Sequence, residues 1–212
     1  MTVPVMAGAV LVTSPAHALA SAPPGVDAQA WWRALVEDTL DVVAGLAAIR
    51  VVVAVGPEVD AEAVRALTWP GTPVVRLPAG ITADAHLVAT LDALAALGAE
   101  LSVVVAADSP DLPGMLVGKL LSALEDAPLA VSPARGGGLC GLGSRLPVPA
   151  WLRAARLDLD APDALDRLHA AAPEGGVVVG PGWHRLRVPT DIGHLDANLE
   201  GWDATRALLS GQ

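Results

Sequence analysis

An apolar run that ends abruptly in aspartates and prolines, residues 101–113, constrains the fold of this chain most strongly. Val103 to Ala107 follow one another without the polar alternation of a half-exposed strand, so they predict a strand buried on both faces. Asp108 comes directly after that strand. In open α/β sheets ligands bind outside the carboxyl ends of the strands, so the Asp108 carboxylate is a candidate contact for a ligand or a metal.

Asp111, three residues further on, has two interpretations. It could join Asp108 at a ligand site, or it could cap the following helix, with Pro113 in the first turn and residues 114–124 as the body. A purely structural role is the alternative for Asp108 as well. The residues alone leave both alternatives open.

The rest of the chain predicts one α/β domain over residues 1–212. Strands are predicted at residues 7–13, 50–55, 73–77, 103–107, 127–132, 139–142, 177–179 and 185–188. Helices are predicted at residues 28–48, 59–67, 82–97, 114–124, 147–155, 161–171 and 193–209, the first capped by Asp27. This alternation implies a Rossmann-like three-layer domain with a mainly parallel sheet, helices on both faces and a short antiparallel extension after Gly136.

Composition excludes several classes of protein. The chain is 53% hydrophobic and 17% charged, which excludes disorder, and no apolar run reaches the roughly 18 residues of a membrane helix. A net charge of −10 argues against sequence-independent binding to nucleic acid or to anionic lipid. The single cysteine, Cys140, excludes an internal disulfide and fits a reducing compartment. We therefore expect a cytoplasmic protein with neither a membrane nor a nucleic-acid partner.

The N-terminus has some features of a signal peptide, namely an apolar run followed by small residues. The positively charged leading region is missing, however, because the first basic side chain is Arg33. The pattern favours a first buried strand.

Three stretches in this order carry a family resemblance: Glu-Asp-Thr-Leu at 37–40, Asp-Ser-Pro-Asp-Leu-Pro at 108–113, and Pro-Ala-Arg-Gly-Gly-Gly-Leu-Cys-Gly-Leu-Gly at 133–143. The chain resembles the bacterial glycosyltransferase-A-like proteins, which are relatives of nucleotide-diphospho-sugar transferases. It is more distantly similar to the guanylyltransferases that make molybdenum and deazaflavin cofactors. The resemblance covers roughly residues 7–199.

The resemblance implies a site for a nucleotide or a nucleotide sugar over the carboxyl ends of the first strands. Its implied nucleotide or substrate contacts are Thr13, Ser14, Gly80, Ser109, Arg135, Gly136, Gly137 and Gly138. Its implied metal ligands are Asp108, Asp111 and Asp191. A hard cation, Mg²⁺ or Mn²⁺, suits such oxygen ligands and would neutralise the charge of a diphosphate.

The chain departs from the family pattern at three places. The first loop normally carries a lysine and an arginine that grip phosphates, but residues 14–23 contain His17 and no permanent cation. The family's aspartate before the glycine pair is Arg135 here, either turned into the cleft or on the surface. The late Asp-x-Asp-Thr-Pro pattern is replaced by Arg-Val-Pro-Thr-Asp at 187–191, where Asp191 either substitutes for a metal ligand or caps the last helix.

Two functions remain in competition. One is a metal-dependent glycosyltransferase-like or nucleotidyltransferase-like protein whose catalytic motifs are partly lost. The alternative is a non-catalytic binding or scaffolding domain of the same fold. The sequence does not fix the oligomeric state, and a homodimer is one alternative.

Overall fold

The structure, a computed structural model, describes residues 4–13, 15–47 and 49–211. Its centre is a seven-stranded sheet in the order β3-β2-β1-β4-β6-β5-β7. The strands are β1 Met6–Val12, β2 Ile49–Val55, β3 Val74–Arg76, β4 Leu101–Ala106, β5 Leu129–Pro133, β6 Leu139–Arg145 and β7 Val177–Val179. Only β6 runs antiparallel to its neighbours, between β4 and β5. The mainly parallel sheet is thus confirmed, and the antiparallel element lies inside the sheet.

Helices cover both faces of the sheet. They are α1 Pro15–Ala20, α2 Ala28–Ala44, α3 Ala61–Arg65, α4 Ala83–Ala96, α5 Gly114–Ala123, α6 Ala150–Ala155, α7 Ala164–Ala171 and α8 Asp203–Ser210, with a 3-10 helix at Pro189–His194. Leucines of α4, α6 and α7 pack on one face, and side chains of α2, α3 and α5 pack on the other. Asp27 caps α2 as predicted, since its Oδ1 accepts a hydrogen bond from Ala30 N at 2.8 Å.

The β4 strand is buried on both faces, as its unbroken apolar pattern predicts. Val103 and Val105 contact the α2 side of the sheet, and Val104 contacts the α4 side. None of the three is exposed to solvent. This two-sided burial holds the end of β4, and therefore Asp108, at a fixed place on the carboxyl edge of the sheet.

The late part of the chain differs from the prediction. The strand that the sequence predicts at residues 185–188 does not form, because the Asp191 carboxylate accepts the N–H groups of Arg187 and Val188. The helix expected at 193–209 begins only at Asp203, after the positive φ of Gly201. The first loop, expected to be irregular, contains α1.

No helix among the described residues is both long and apolar enough to cross a membrane.

Candidate functional site at the carboxyl edge of β1 and β4

Thr13 and Asp108 follow two neighbouring parallel strands at the point where the sheet order reverses. β1 and β4 pair from Met6↔Leu101 to Leu11↔Ala106, so their carboxyl ends stop side by side. Connections lead from β1 outward to β2 and from β3 back to β4, which makes this the switch point where α/β folds bind ligands. A pocket of about 30 Å³ lies here, lined by Thr13, Asp108, Asp160 and Arg185 among others.

Asp108 is bound by an arginine that lies 77 residues away in the sequence. Arg185 Nε donates to Asp108 Oδ1 at 2.5 Å, and its Nη2 donates to Oδ2 at 2.9 Å. Both residues are only 7% exposed. Both carboxylate oxygens are therefore held in a bidentate, buried ion pair, the strongest arrangement for these two groups.

The guanidinium of Arg185 has no donor to spare. Its Nη1 donates to the carbonyls of Leu139 and Leu159 at 3.2 Å each, and its Nη2 also lies 2.6 Å from Asp160 Oδ1. Burial alone lowers the pKa of Arg185, but the carboxylates of Asp108 and Asp160 outweigh burial and raise that pKa above its ordinary value. The five N–H groups of a guanidinium thus all have acceptors here.

Arg187 is the second cation of this network, and it is not saturated. Its Nη1 donates to Gly137 O at 3.1 Å, and its Nη2 lies 3.6 Å from Asp160 Oδ1. Its Nε and Nη2 are buried and have no hydrogen-bond partner among the residues that the structure describes. Burial, and then the charge of Arg185, lower the pKa of Arg187. An anion beside Arg187 would accept hydrogen bonds from its Nε and Nη2, and it would offset part of the repulsion between Arg187 and Arg185.

The predicted turn at residues 136–138 packs closely against Leu159 and Arg187. Gly136, Gly137 and Gly138 all have positive φ, as the Gly-Gly-Gly sequence suggests. A Cβ on Gly138 would lie 2.5 Å from Leu159 O and 2.9 Å from Arg187 Nη2, so glycine here makes room for the arginine. Gly136 is exposed, and a Cβ on it would meet no heavy atom within 4 Å.

Asp111 belongs to a different cluster from Asp108. Its Oδ1 lies 2.8 Å from His184 Nε2 and accepts from Trp183 Nε1 at 3.2 Å, while its Oδ2 accepts from Asp196 N at 3.2 Å. The position that caps α5 is Pro113, so the capping role considered for Asp111 is wrong. Its carboxylate instead fixes the loop after β7 to the loop after β4.

Asp191 and Arg135 lie apart from Asp108. Asp191 Oδ2 accepts from the backbone N–H groups of Arg187 and Val188, at 2.8 and 2.9 Å, and caps the 3-10 helix. Arg135 is exposed, with its Nη1 3.3 Å from His194 Nδ1, which matches the surface alternative for this residue.

The other predicted contacts are spread along the same edge. Ser109 is fully buried, and its Oγ donates to His184 O at 3.3 Å. Gly80 is exposed in the turn before α4, with a φ of 77°. Thr13 lines the pocket. Ser14 lies outside the described residues.

These contacts decide how well a divalent cation fits. The described residues contain no group of three or more His, Cys, Asp and Glu side chains that is arranged to hold a metal ion. Asp108 would have to release Arg185 before it could bind one. The residues in this arrangement therefore do not fit Mg²⁺ or Mn²⁺ at Asp108, and the metal stays a prediction.

Sequence reasoning missed Arg185, Arg187 and Asp160. A signal for the two arginines was present: when the Asp-x-Asp-Thr-Pro pattern of the family is aligned on Pro189, both of its aspartates fall on Arg185 and Arg187. A match of the pattern to residues 187–191 lies two positions too late. Asp160 carries no comparable signal, because its place depends on the path of the chain after β6.

Cys140 lies beside this network but is not a reactive thiol. It is fully buried, and burial raises the pKa of its thiol to about 11.

Solved structures with the same fold cover almost the whole chain. A protein of Desulfovibrio desulfuricans G20, classed as a nucleotide-diphospho-sugar transferase, aligns with a TM-score of 0.68 at 20% identity, over 99% of this chain and 98% of that chain. The 4-diphosphocytidyl-2C-methyl-D-erythritol synthase of Anaerococcus prevotii aligns with a TM-score of 0.60 at 11% identity, over 97% and 96%. CMP:2-keto-3-deoxy-manno-octonic acid synthetase in complex with CTP aligns with a TM-score of 0.57 at 13% identity, over 97% and 98%.

These likenesses establish the fold as that of the nucleotidyl and nucleotide-sugar transferases. No curated protein sequence matches the chain. A family model does match, over residues 39–157, which include the end of α2, all of β4 and the Asp-Ser-Pro-Asp-Leu-Pro loop. The chain belongs to the bacterial family described as "Uncharacterized protein conserved in bacteria (DUF2064)".

Proposed function

We propose that the chain is a non-catalytic member of this transferase fold that binds a nucleotide or a nucleotide sugar without Mg²⁺ or Mn²⁺. The observation that carries the proposal is the saturated ion pair of Asp108 and Arg185. Arg185 binds both oxygens of the Asp108 carboxylate, which the family resemblance assigns to the metal. The chain itself therefore supplies the positive charge at this carboxylate.

The fold and the partly unpaired guanidinium of Arg187 support a nucleotide-type ligand. One protein of the same fold is described with bound CTP, and in such folds the ligand lies over the carboxyl ends of the strands. Arg187, next to Asp160 on this edge, keeps two unpaired donors that suit a phosphate oxygen.

The pocket requires movement before such a ligand can enter. Its volume of about 30 Å³ holds one water-sized group, whereas ligand pockets measure roughly 300–1,000 Å³. Ala18 of α1 and Trp32 of α2 form part of its wall. A displacement of α1 away from α2 would enlarge the pocket, because the two helices form this wall.

Thermal unfolding with a panel of nucleotides and nucleotide sugars tests the proposal, each measured with MnCl₂ and with EDTA. A ligand at a hundred times its Kd adds about 2.7 kcal/mol of stability. We expect a shift in Tm that is equal in the two conditions, together with no release of diphosphate or nucleotide.

Arg187→Gln is the variant that locates the ligand, and Arg65→Gln is its control, since Arg65 pairs with Glu62 on the surface of α3. The Arg187 variant should lose most of the shift and the control should keep it. A shift seen only with manganese, or turnover of a nucleotide sugar, would restore the metal-dependent transferase. No shift with any nucleotide at millimolar concentration would rule out the proposed ligand class.

A further inference from the structure

A long groove follows the exposed side of α2 and reaches the loop after β4 at Pro110 and Asp111, without including Asp108. Three adjoining pockets of about 320, 530 and 240 Å³ form it, and Asp41 lines all three. It begins at Trp69, passes Gly45, and ends between Pro113 and Trp202. We call it the α2 groove. Its combined size suits an extended chain better than one small molecule.

The rim of the α2 groove is acidic, and the guanidinium of Arg206 at its end stacks on the Trp202 ring, 4.2 Å from the centroid, and not on a rim carboxylate. Its exposed carboxylates are Glu37, Asp41, Glu200 and Asp203. Across the described ranges, none of the four has an ion-pair or side-chain hydrogen-bond partner, and no lysine, arginine or histidine lines the groove. Burial, and then Asp38 and Asp41, raise the pKa of Glu37, as expected for carboxylates crowded without a cation.

Two tryptophans supply a second, independent indication of a ligand. Trp69 is 67% exposed and lines two of the three pockets, although an indole of this size is normally buried. Trp202, at the other end, is only 6% exposed, and its Nε1 hydrogen is buried without a partner among the described atoms. One tryptophan offers a flat face to a cation, and the other offers a donor to a carbonyl oxygen.

We propose that the α2 groove binds an extended segment of a partner protein that carries several lysine or arginine side chains. Carboxylates along the rim attract the basic side chains, Trp69 stacks against one of them, and Trp202 donates to a backbone carbonyl of the segment. A polypeptide supplies all three groups at once, whereas a free polyamine lacks the carbonyl. This role is independent of the nucleotide site, since no residue that the structure describes lines both the groove and the pocket beside Asp108.

The test uses a displayed library of random 12-residue peptides, selected against the full chain. Enriched peptides are then synthesised with fluorescein and titrated by fluorescence polarisation. We expect them to contain more lysine and arginine than the starting library, and their affinity to fall as salt rises. Spermine at the same total charge should compete poorly.

Matched variants locate the binding surface. Asp41→Lys should weaken the peptides about ten-fold or more, and Trp69→Ala roughly five-fold, by loss of ion pairing and of the cation–π contact. Glu174→Lys makes the same change of charge at an exposed site outside the groove and should alter the affinity by less than about two-fold. Each variant changes an exposed side chain, so Tm should be preserved.

Three results of the peptide experiments would overturn the proposal. They are enrichment of neutral or acidic peptides, no enrichment at all, and equal weakening by Asp41→Lys and Glu174→Lys. A change of oligomeric state with Trp69→Ala, measured by light scattering and without any peptide binding, would identify the groove as an interface between copies of the chain and would also overturn it.

Discussion

The carboxyl edge of β4 and the α2 groove both contain several acidic side chains, but the carboxylates are paired with a cation only at the edge of the sheet. At the edge, Asp108 and Asp160 are bound by Arg185, and every donor of that arginine is used. In the groove, Glu37 and Asp41 lie beside each other, and no cation of the described part of the chain pairs with either. The carboxylates of one region are paired with a cation, and those of the other are not.

Burial explains this difference. A charge removed from water must be paired, because the desolvation penalty of an unpaired ion amounts to several kcal/mol. A solvated carboxylate has no such requirement. An exposed acidic rim without cations therefore lowers the stability of the fold only modestly. The ion pair of Asp108 and Arg185 therefore indicates a structural role for these two charges, whereas the unpaired rim retains the capacity to attract a partner.

The largest expected effect comes from breaking the paired region. Arg185→Met leaves Asp108 buried without a counter-charge and should lower the free energy of unfolding by about 3–5 kcal/mol. Arg185→Met/Asp108→Asn removes both charges and should recover at least half of that loss. Urea unfolding measures both.

Arg65→Met is the control for this pair of variants. It breaks an exposed ion pair with Glu62 and should change stability by about 0.5 kcal/mol or less. If the single and double variants at residue 185 lose the same stability, the charge of Arg185 is not what holds Asp108, and packing of the side chain would be the better explanation.

A second variant tests whether the arginines occupy the place of a metal. Arg185→Asp/Arg187→Asp restores the Asp-x-Asp pattern beside Asp108 and Asp160, and four carboxylates at one edge should attract a hard cation. We expect the double variant to be unstable alone and to gain about 2.7 kcal/mol with Mn²⁺ at a hundred times its Kd. Thermal unfolding and Mn²⁺ electron paramagnetic resonance measure the gain.

Wild-type protein and Arg65→Asp should show no such response to Mn²⁺. If the wild-type chain binds the ion as well as the double variant does, the ion pair of Asp108 does not exclude metal, and the predicted Mg²⁺ or Mn²⁺ site regains support.

Local patterns predicted most of the fold because they coincide with its packing. The unbroken apolar run of β4 predicts burial on two faces, and Asp27 before an amphipathic segment predicts the start of α2. The end of the chain was mispredicted where side chains compete with the backbone. Asp191 takes the N–H groups that a strand at 185–188 would have used.

The site was predictable only in part, for a related reason. The position of Asp108 depends on the strand directly before it, so the local sequence was sufficient. Its partner Arg185 lies 77 residues further on, and nothing in the local pattern indicates a pairing over that distance. The family pattern contained the information, but only when it was aligned on Pro189 and not on Asp191.

The smallest expected effect lies in the unpaired region and depends on pH. The pKa of Glu37 is raised in the folded chain above its ordinary value of 4.5, so the folded state holds its proton to a higher pH than the unfolded state does. Stability from this group is therefore present at low pH and is lost as pH rises through the folded pKa. Glu37→Gln should make the chain more stable at neutral pH and low salt by about 0.5 kcal/mol or less, since the side chain is mostly solvated. The urea midpoints of the wild-type protein and of Glu37→Gln should converge at pH values below the ordinary pKa of Glu37, and also at high salt. A variant that is less stable at neutral pH would mean that Glu37 has a cationic partner, which would remove the contrast between the groove and the paired edge.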